Sequence, residues 1–309
     1  MASAAQPLVS IITPSYNQAA FLEDTLRSVF AQEYPNLEYI VVDGGSSDGS
    51  IDIIKKYADT LTWWVSEPDA GQADAINKGL ARAKGQIVAW LNSDDVYRPG
   101  AIQHAVAALQ QQPDAGMVYA DLDSIDRTGR VFNTIRYRQF SLLDLLSFEI
   151  IGQPTVFMRR AVLQQAGALE AEYRYLLDHQ LWLRMFQLAP AVYVPQVWAA
   201  ARHHASAKNV GEAAGFGREA MRILAWAGTQ PAMRELIAAH HRQVLAGAHL
   251  FDARYLLDGG QAAAALRSYG RVASLQPQRL LRHLPRILFA LLSLLGLGGL
   301  RRWLQRREY

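Results

Sequence analysis

What most limits the folds open to this chain is the order of its apolar segments. Over the first two hundred residues, short apolar runs alternate with amphipathic helical patterns. Leu8 to Thr13 reads as a buried strand, and Phe21, Leu22, Thr25, Leu26, Val29 and Phe30 mark one face of the helix that follows. Leu37 to Asp43 (LEYIVVD) is a second strand, stopped by Gly44–Gly45 before a helix carrying Ile51, Ile54 and Tyr57. Thr60 to Val65 and Gln86 to Leu91 read as the third and fourth strands, with the stripe Ala73, Ile76, Leu80 and Ala83 between them. Pro99 then opens a helix with Ile102, Ala105, Val106 and Leu109 inward. Strands and helices alternating at this spacing build βαβ units, so the fold class predicted is α/β, with a Rossmann-like, mainly parallel sheet and flanking helices.

After residue 115 the pattern breaks into shorter pieces. Strand candidates at Gly116–Ala120, Val131–Tyr137, Thr155–Met158 and Ala191–Pro195 are interleaved with short helices near 141–148, 159–166 and 178–188. From about Asn209 the chain reads as helical throughout, and Ala246 to Pro277 as a helical hairpin turning at Gly259–Gly260. The expected division is a first domain over residues 1–205 and an all-helical C-terminal region over 206–309.

Composition removes several classes of function. The 309 residues contain no cysteine, which excludes a thiolate zinc site, an iron–sulfur cluster and a cysteine nucleophile. With half the residues apolar and 19% charged, the balance is globular rather than disordered. The net charge of +3 conceals a separation: Arg267 to Tyr309 holds nine arginines against Glu308, a surplus of eight, so the preceding 266 residues are five negative. The opening MASAAQPLVS has no basic region or apolar run of signal-peptide length, and the expected location is the cytoplasm.

In an open parallel sheet, ligands sit at the carboxyl ends of the strands. Four polar loops fall there: TPSYN (13–17), DGGSSDGS (43–50), SEPDAGQADAINKG (66–79) and LNSDD (91–95). A dinucleotide fingerprint is excluded, because the glycines after Val42 stand at 44, 45 and 49, and no phosphate-binding G-x-x-x-x-G-K-[ST] occurs. Asp94 and Asp95 are adjacent carboxylates after an apolar strand. Their repulsion is relieved by a hard divalent cation such as manganese or magnesium, or by backbone amides in a solvated turn, and the pair alone leaves both readings open.

The runs VSIITPSYN, EYIVVDGGSSDGS, SEPDAGQADAINKG and VAWLNSDDVYRPGAI, in that order, resemble the nucleotide-sugar-binding half of family 2 glycosyltransferases over residues 7 to 205. The resemblance implies a GT-A fold and an inverting transfer of a sugar from a nucleoside diphosphate to an acceptor hydroxyl, with a divalent cation (manganese or magnesium) as cofactor. By position it implies donor-binding roles for Thr13, Pro14, Tyr16, Asp43, Asp74, Asn77 and Lys78, with Asp43 accepting from the base. Asn92-Ser93-Asp94 stands in the metal-binding D-x-D register with asparagine for the first acid, so Asp94 or Asp95 is the implied ligand. Segment 201–209 (ARHHASAKN) is similar to the family's R-x-H-x-x-S-K-T, placing Arg202 and Lys208 near the diphosphate and His204 at the metal, although Ala207 and Asn209 depart from it. Asp178 in YLLDHQLWLRM matches the family's acidic residue on the acceptor side and is the implied catalytic base. Read from the residues alone, Asp178 is a helix N-cap more readily than a catalytic base, and His203 and His204 a solvated loop.

The implied donor is a nucleotide sugar, most simply a UDP-sugar carrying a hexose or N-acetylhexosamine, and the implied acceptor is lipid-linked or a polysaccharide. Two rivals remain at this point, a nucleotidyltransferase that makes the nucleotide sugar and a non-catalytic scaffold that binds it. Ile287 to Leu300 (ILFALLSLLGLGGL) is fourteen uncharged residues with arginines on both sides. Fourteen helical residues span about 21 Å, short of the roughly 30 Å hydrocarbon core. The segment 279–309 is therefore expected to associate peripherally with an anionic membrane surface, the inner face of the plasma membrane, and not to cross it. Arginines without interleaved aromatics do not suggest nucleic acid as a partner.

Overall fold

The structure, a computed structural model, describes residues 6–204 and 213–295. They fall into two compact units. One holds the chain up to Gln139 together with Ile151–His203, and the other holds Phe140–Ile150 together with the chain from His204 onward.

The first unit is built on a nine-stranded mixed sheet. Strands β1 (Val9–Ser15), β2 (Leu37–Asp43), β3 (Trp63–Ser66) and β4 (Ile87–Trp90) lie in the order β3-β2-β1-β4 and run parallel, joined by helices α1 (Leu22–Phe30), α2 (Ser50–Lys56) and α3 (Gln72–Arg82). Strands covered on both faces need apolar residues throughout. β4 (IVAW) follows this rule, whereas β1 (VSIITPS), also buried throughout, pairs the hydroxyls of Ser10 and Thr13 with Glu38 and Tyr39; α1 turns Leu22, Thr25, Leu26 and Val29 inward.

Beyond β4 the sheet becomes mixed. A two-residue strand β5 (Val96–Tyr97) precedes α4 (Ala101–Gln111), and β6 (Met117–Ile125), β7 (Val131–Ile135), β8 (Phe157–Arg159) and β9 (Ala191–Arg202) follow. β8 pairs antiparallel with both β4 and β6, β6 runs parallel to β9, and β9 reaches back to pair antiparallel with β5. That last pairing brings residues 96–97 beside 199–200. α6 (Arg160–Ala166) and α7 (Leu177–Phe186) complete this unit; α5 (Leu142–Leu146) lies in the other.

The second unit is helical: α5, α8 (Ala213–Ala227), α9 (Pro231–Ala239), α10 (His241–Asp258), α11 (Ala262–Leu275), a 3-10 segment Pro277–His283, and α12 (Leu284–Leu294). α10 and α11 form the hairpin foreseen at Gly259–Gly260. Phe216 stacks on Tyr255 at 4.0 Å, and Phe148 meets Phe251 at 5.4 Å. Gly247 lies so close over the Ser147 carbonyl that a β-carbon there would collide with it, which fixes α10 against the α5 segment.

Candidate active site

Ser15, Asp43 and Ser66 lie side by side in register at the carboxyl ends of β1, β2 and β3. The polar loops therefore emerge from one edge of the sheet, with residues 91–95 following β4. Asp43 is fully buried, and its carboxylate accepts from the backbone N–H of Gly45 (3.1 Å) and Ser46 (2.9 Å) and from the hydroxyls of Ser46 (2.5 Å) and Ser66 (2.8 Å). An ionised carboxylate has about four acceptor sites. Asp43, expected to accept from a base, here organises its own turn, which Gly45 completes at φ 82°. Asn17, at φ 51°, joins this turn to the first loop: its N–H donates to Ser46 Oγ (2.8 Å) and its Oδ1 accepts from Ser47 N (2.9 Å).

Of the first-loop residues, Thr13, implied at the donor, is fully buried. Its hydroxyl lies 3.0 Å from that of Tyr39, within the core, and Tyr39 is pushed well above the usual phenol range by burial. Pro14 is buried, whereas Tyr16 is 62% exposed and presents an open ring beside the loops.

The adjacent carboxylates separate into two environments. Asp95 is buried; its Oδ1 accepts from Arg202 N (3.0 Å) and its Oδ2 from Asn92 Nδ2 (3.3 Å). Burial, followed by the charge of Asp94, raises its pKa well above the ordinary carboxylate value. Asp94 is partly exposed. Asn92, at the first position of the acid motif, accepts from Gln72 Nε2 (2.7 Å) and so ties the start of α3 to this loop.

Arg202 is placed as a fastener. Only 3% of its side chain is exposed. Nε donates to the Asp94 carbonyl (3.0 Å), Nη2 to Asp24 Oδ2 (3.1 Å) and Nη1 to the Arg127 carbonyl (3.1 Å), and the guanidinium lies 5.0 Å from the centre of the Phe21 ring. The resemblance implies this group near the diphosphate; in the structure its partners are within the chain. His204 is partly buried just past the end of β9. Lys208 lies outside the described residues. Among the described residues no three histidine or acidic side chains are gathered to hold a metal ion. The donor set still suits a hard cation. Asp94 supplies one accessible carboxylate, and magnesium and manganese are commonly held by one or two carboxylates with phosphate oxygens and water.

Asp74, Asn77 and Lys78 share α3. Asp74 accepts from Ala70 N (3.0 Å), which with Lys78 (3.4 Å) lowers its pKa, while Lys78 also pairs with Glu67 (2.9 Å). Asn77, implied at the donor, is tied to another loop: Nδ2 donates to the Leu169 carbonyl (2.8 Å) and Oδ1 accepts from Leu169 N (2.9 Å), so both ends of its amide hold the 167–176 loop.

Asp178 is the second residue of α7. The N-cap position is Leu176, with no side-chain cap, so the capping role open to Asp178 in the sequence is not the one it has. It stands in the first turn, where the helix dipole favours a carboxylate. Trp182, a turn further on, stacks on Trp90 at 5.3 Å and anchors α7 over β4. Trp63 is half-buried beneath the Arg82 guanidinium (4.8 Å).

A family model described as "Glycosyl transferase family 2" matches residues 10–166. The chain belongs to glycosyltransferase family 2. The match runs from β1 through α6, and so takes in every strand-end loop described above. An uncharacterized glycosyltransferase of Rickettsia prowazekii is 31% identical over 209 residues, which is 65% of this chain and 65% of that one. The chain thus spans just under two thirds of the length of that relative. TuaG of Bacillus subtilis, named for teichuronic acid biosynthesis, is 32% identical over 61% of this chain and 75% of its own. Among solved structures, S. aureus TarS 1-349 in complex with UDP-GlcNAc superposes with a TM-score of 0.61 at 17% identity, covering 89% of this chain and 92% of that one. The mannosyltransferase PcManGT of Pyrobaculum calidifontis, in complex with GDP-Man and Mn2+, gives 0.61 at 22% identity, covering 92% and 86%. At such identities these two support the GT-A fold alone.

Proposed function

We propose that this chain catalyses inverting, cation-dependent transfer of a hexose or N-acetylhexosamine from a nucleotide sugar, most simply a UDP-sugar, to a hydroxyl of a lipid-linked or polysaccharide acceptor. The observation that carries the reading is Asp94, a partly exposed carboxylate at the carboxyl edge of the parallel strands, backed by Asp95 and Arg202, which are turned inward to hold its loop. Family membership, a relative named for polysaccharide synthesis, and structural neighbours bound to UDP-GlcNAc and GDP-Man support the same reading.

In this account the exposed Tyr16 ring stacks on the nucleoside, the backbone of residues 13–16 lines its pocket, and Lys78 lies toward the diphosphate. Asp94 would hold manganese or magnesium, which when bound neutralises charge on the departing diphosphate. Asp178 takes the proton from the acceptor hydroxyl. The hydroxyl oxygen forms its bond to the anomeric carbon as the bond from that carbon to the diphosphate oxygen breaks, on the opposite face. The test is proton NMR of the first-formed product. The account predicts an anomeric configuration opposite to the donor's and loss of product with Asp178→Asn. A retained configuration, pyrophosphate release from a nucleoside triphosphate, or donor binding without turnover on any acceptor would each overturn it.

A further inference from the structure

We infer that the leucine face running from Leu281 through α12 to Leu295 is a lipid-docking surface, which sits in the headgroup region of an anionic bilayer. The inference is independent of which sugar the first unit transfers. Nine large apolar side chains stand exposed among the described residues, and six of them are Leu281, Leu284, Leu288, Leu291, Leu294 and Leu295. Leu284, Leu288, Leu291 and Leu295 are spaced by four, three and four residues, so they share one side of the helix. The other side is committed. Ala290 is fully buried, and with Phe289 it joins Leu256, Leu257, Ala262 and Ala265 of α10 and α11 in a single cluster. The helix is therefore fixed to its own unit along one face while leucines cover the opposite one.

A concentration of exposed leucine this dense marks an interaction site rather than ordinary surface. Charge decides the partner. The stretch 267–295 contains five arginines and no acid, and Arg282 is exposed beside Leu281 and Leu284. Arg286 is anchored to Asp258 at 2.6 Å and Arg279 to the Gln243 carbonyl, which fixes basic groups at the start of the helix. A second copy of the chain would bring this positive segment against its like, whereas an anionic headgroup layer neutralises it while acyl chains receive the leucines. An eleven-residue helix is about 16 Å long. Among the described residues no helix is long and apolar enough to cross a membrane, so this one lies in the interface plane.

The test is co-sedimentation of the full chain with vesicles of phosphatidylcholine alone and of phosphatidylcholine with 30% phosphatidylglycerol, for the wild type, for Leu284→Ser/Leu288→Ser/Leu291→Ser and for Arg282→Glu. Wild type should pellet with the anionic vesicles, lose binding as salt rises, and bind the neutral vesicles weakly. The triple leucine variant should lose at least about tenfold in vesicle affinity, since each leucine contributes transfer free energy of its own, with its melting temperature unchanged because these side chains are already exposed. Arg282→Glu should weaken only the anionic component. Undiminished binding by the triple variant would overturn the proposal. So would a wild-type dimer in sedimentation velocity that the same substitutions convert to monomer without any vesicle binding.

Discussion

The backbone N–H of Arg202 donates to Oδ1 of Asp95 at 3.0 Å, across 107 residues of sequence, and in the same place the Arg202 side chain donates to the carbonyl of Asp94. One residue at the end of β9 thus grips both members of the acidic pair, one through its main chain and the other through its guanidinium. The pair is divided into an inner acid that holds the loop and an outer acid that faces solvent.

This division predicts unequal consequences for two similar substitutions. Asp95→Asn keeps an oxygen to accept from Arg202 N and relieves a buried, repelled carboxylate. It also turns its amide nitrogen toward Asn92 Nδ2 and loses that 3.3 Å hydrogen bond, so its melting temperature should stay close to the wild type. Asp94→Asn should leave stability within about 0.5 kcal/mol, as expected of a partly exposed position, yet abolish manganese-dependent donor turnover. Differential scanning fluorimetry with a turnover assay separates the two. Equal loss of activity without loss of stability in both variants would show that both acids are ligands.

Arg202→Met should destabilise by about 2 kcal/mol, because it removes the charged donor from the carbonyls of Asp94 and Arg127 while the largely exposed Asp24 returns to water. The main-chain bond to Asp95 remains. Urea unfolding gives the stability change, and the account expects a loss of manganese affinity alongside it. An unaltered urea midpoint would contradict the fastening role.

Asn77→Ala removes two hydrogen bonds to Leu169 and leaves its buried backbone groups wanting, at a cost of about 2 kcal/mol. The Michaelis constant for the donor should stay within about twofold, whereas a direct donor contact would raise it by about tenfold for a loss of roughly 1.4 kcal/mol. Donor titration at saturating acceptor distinguishes these outcomes.

For Asp178→Asn, the loss of a general base should lower turnover by about 10²- to 10⁴-fold with donor binding intact. Calorimetry of the nucleotide sugar beside turnover checks both halves of that statement.

Acid sensitivity has an identifiable contributor in Glu23. Hydrogen bonds from Lys56 (2.7 Å) and the Tyr57 hydroxyl (2.8 Å), with Arg27 nearby, lower its pKa from 4.5 to about 2. A group depressed in the folded state contributes stability that is present above its unfolded pKa and lost as pH falls through the folded one. The contribution of Glu23 should therefore fade between pH 4.5 and about 2, and Glu23→Gln should be less stable than wild type at pH 6 but converge with it near pH 2. A constant difference across that window, read by chemical denaturation at each pH, would contradict the assignment.

The parallel half of the sheet was legible because its signal is local: β2 occupies the predicted residues Leu37–Asp43, and the strand-end loops followed from its neighbours. β5 left no trace, since two residues cannot show a period and their partner strand lies a hundred residues away. The grouping of Phe140–Ile150 with the C-terminal helices was hidden for the same reason. Arg202 and Asn77 were singled out as polar residues near a donor, but their partners are carbonyls and amides of Asp94, Arg127 and Leu169, and main-chain groups carry no mark in a sequence. Asn17 stood in the sequence only as part of the polar TPSYN loop; its turn at positive φ, a conformation asparagine tolerates, emerged from the structure. Asp178 shows the finer limit: two residues of helix boundary separate an N-cap from a carboxylate in the first turn.

The most direct test of the central claim is a thermal-shift comparison of wild type and Asp94→Ala with a panel of nucleotide sugars, each with and without manganese. A ligand that binds only the folded state raises the melting temperature by linkage. The account predicts that at least one UDP-sugar raises it for wild type, that the rise depends on manganese, and that Asp94→Ala abolishes the manganese dependence. No shift with any nucleotide sugar, or a manganese-dependent shift that survives in Asp94→Ala, would contradict it.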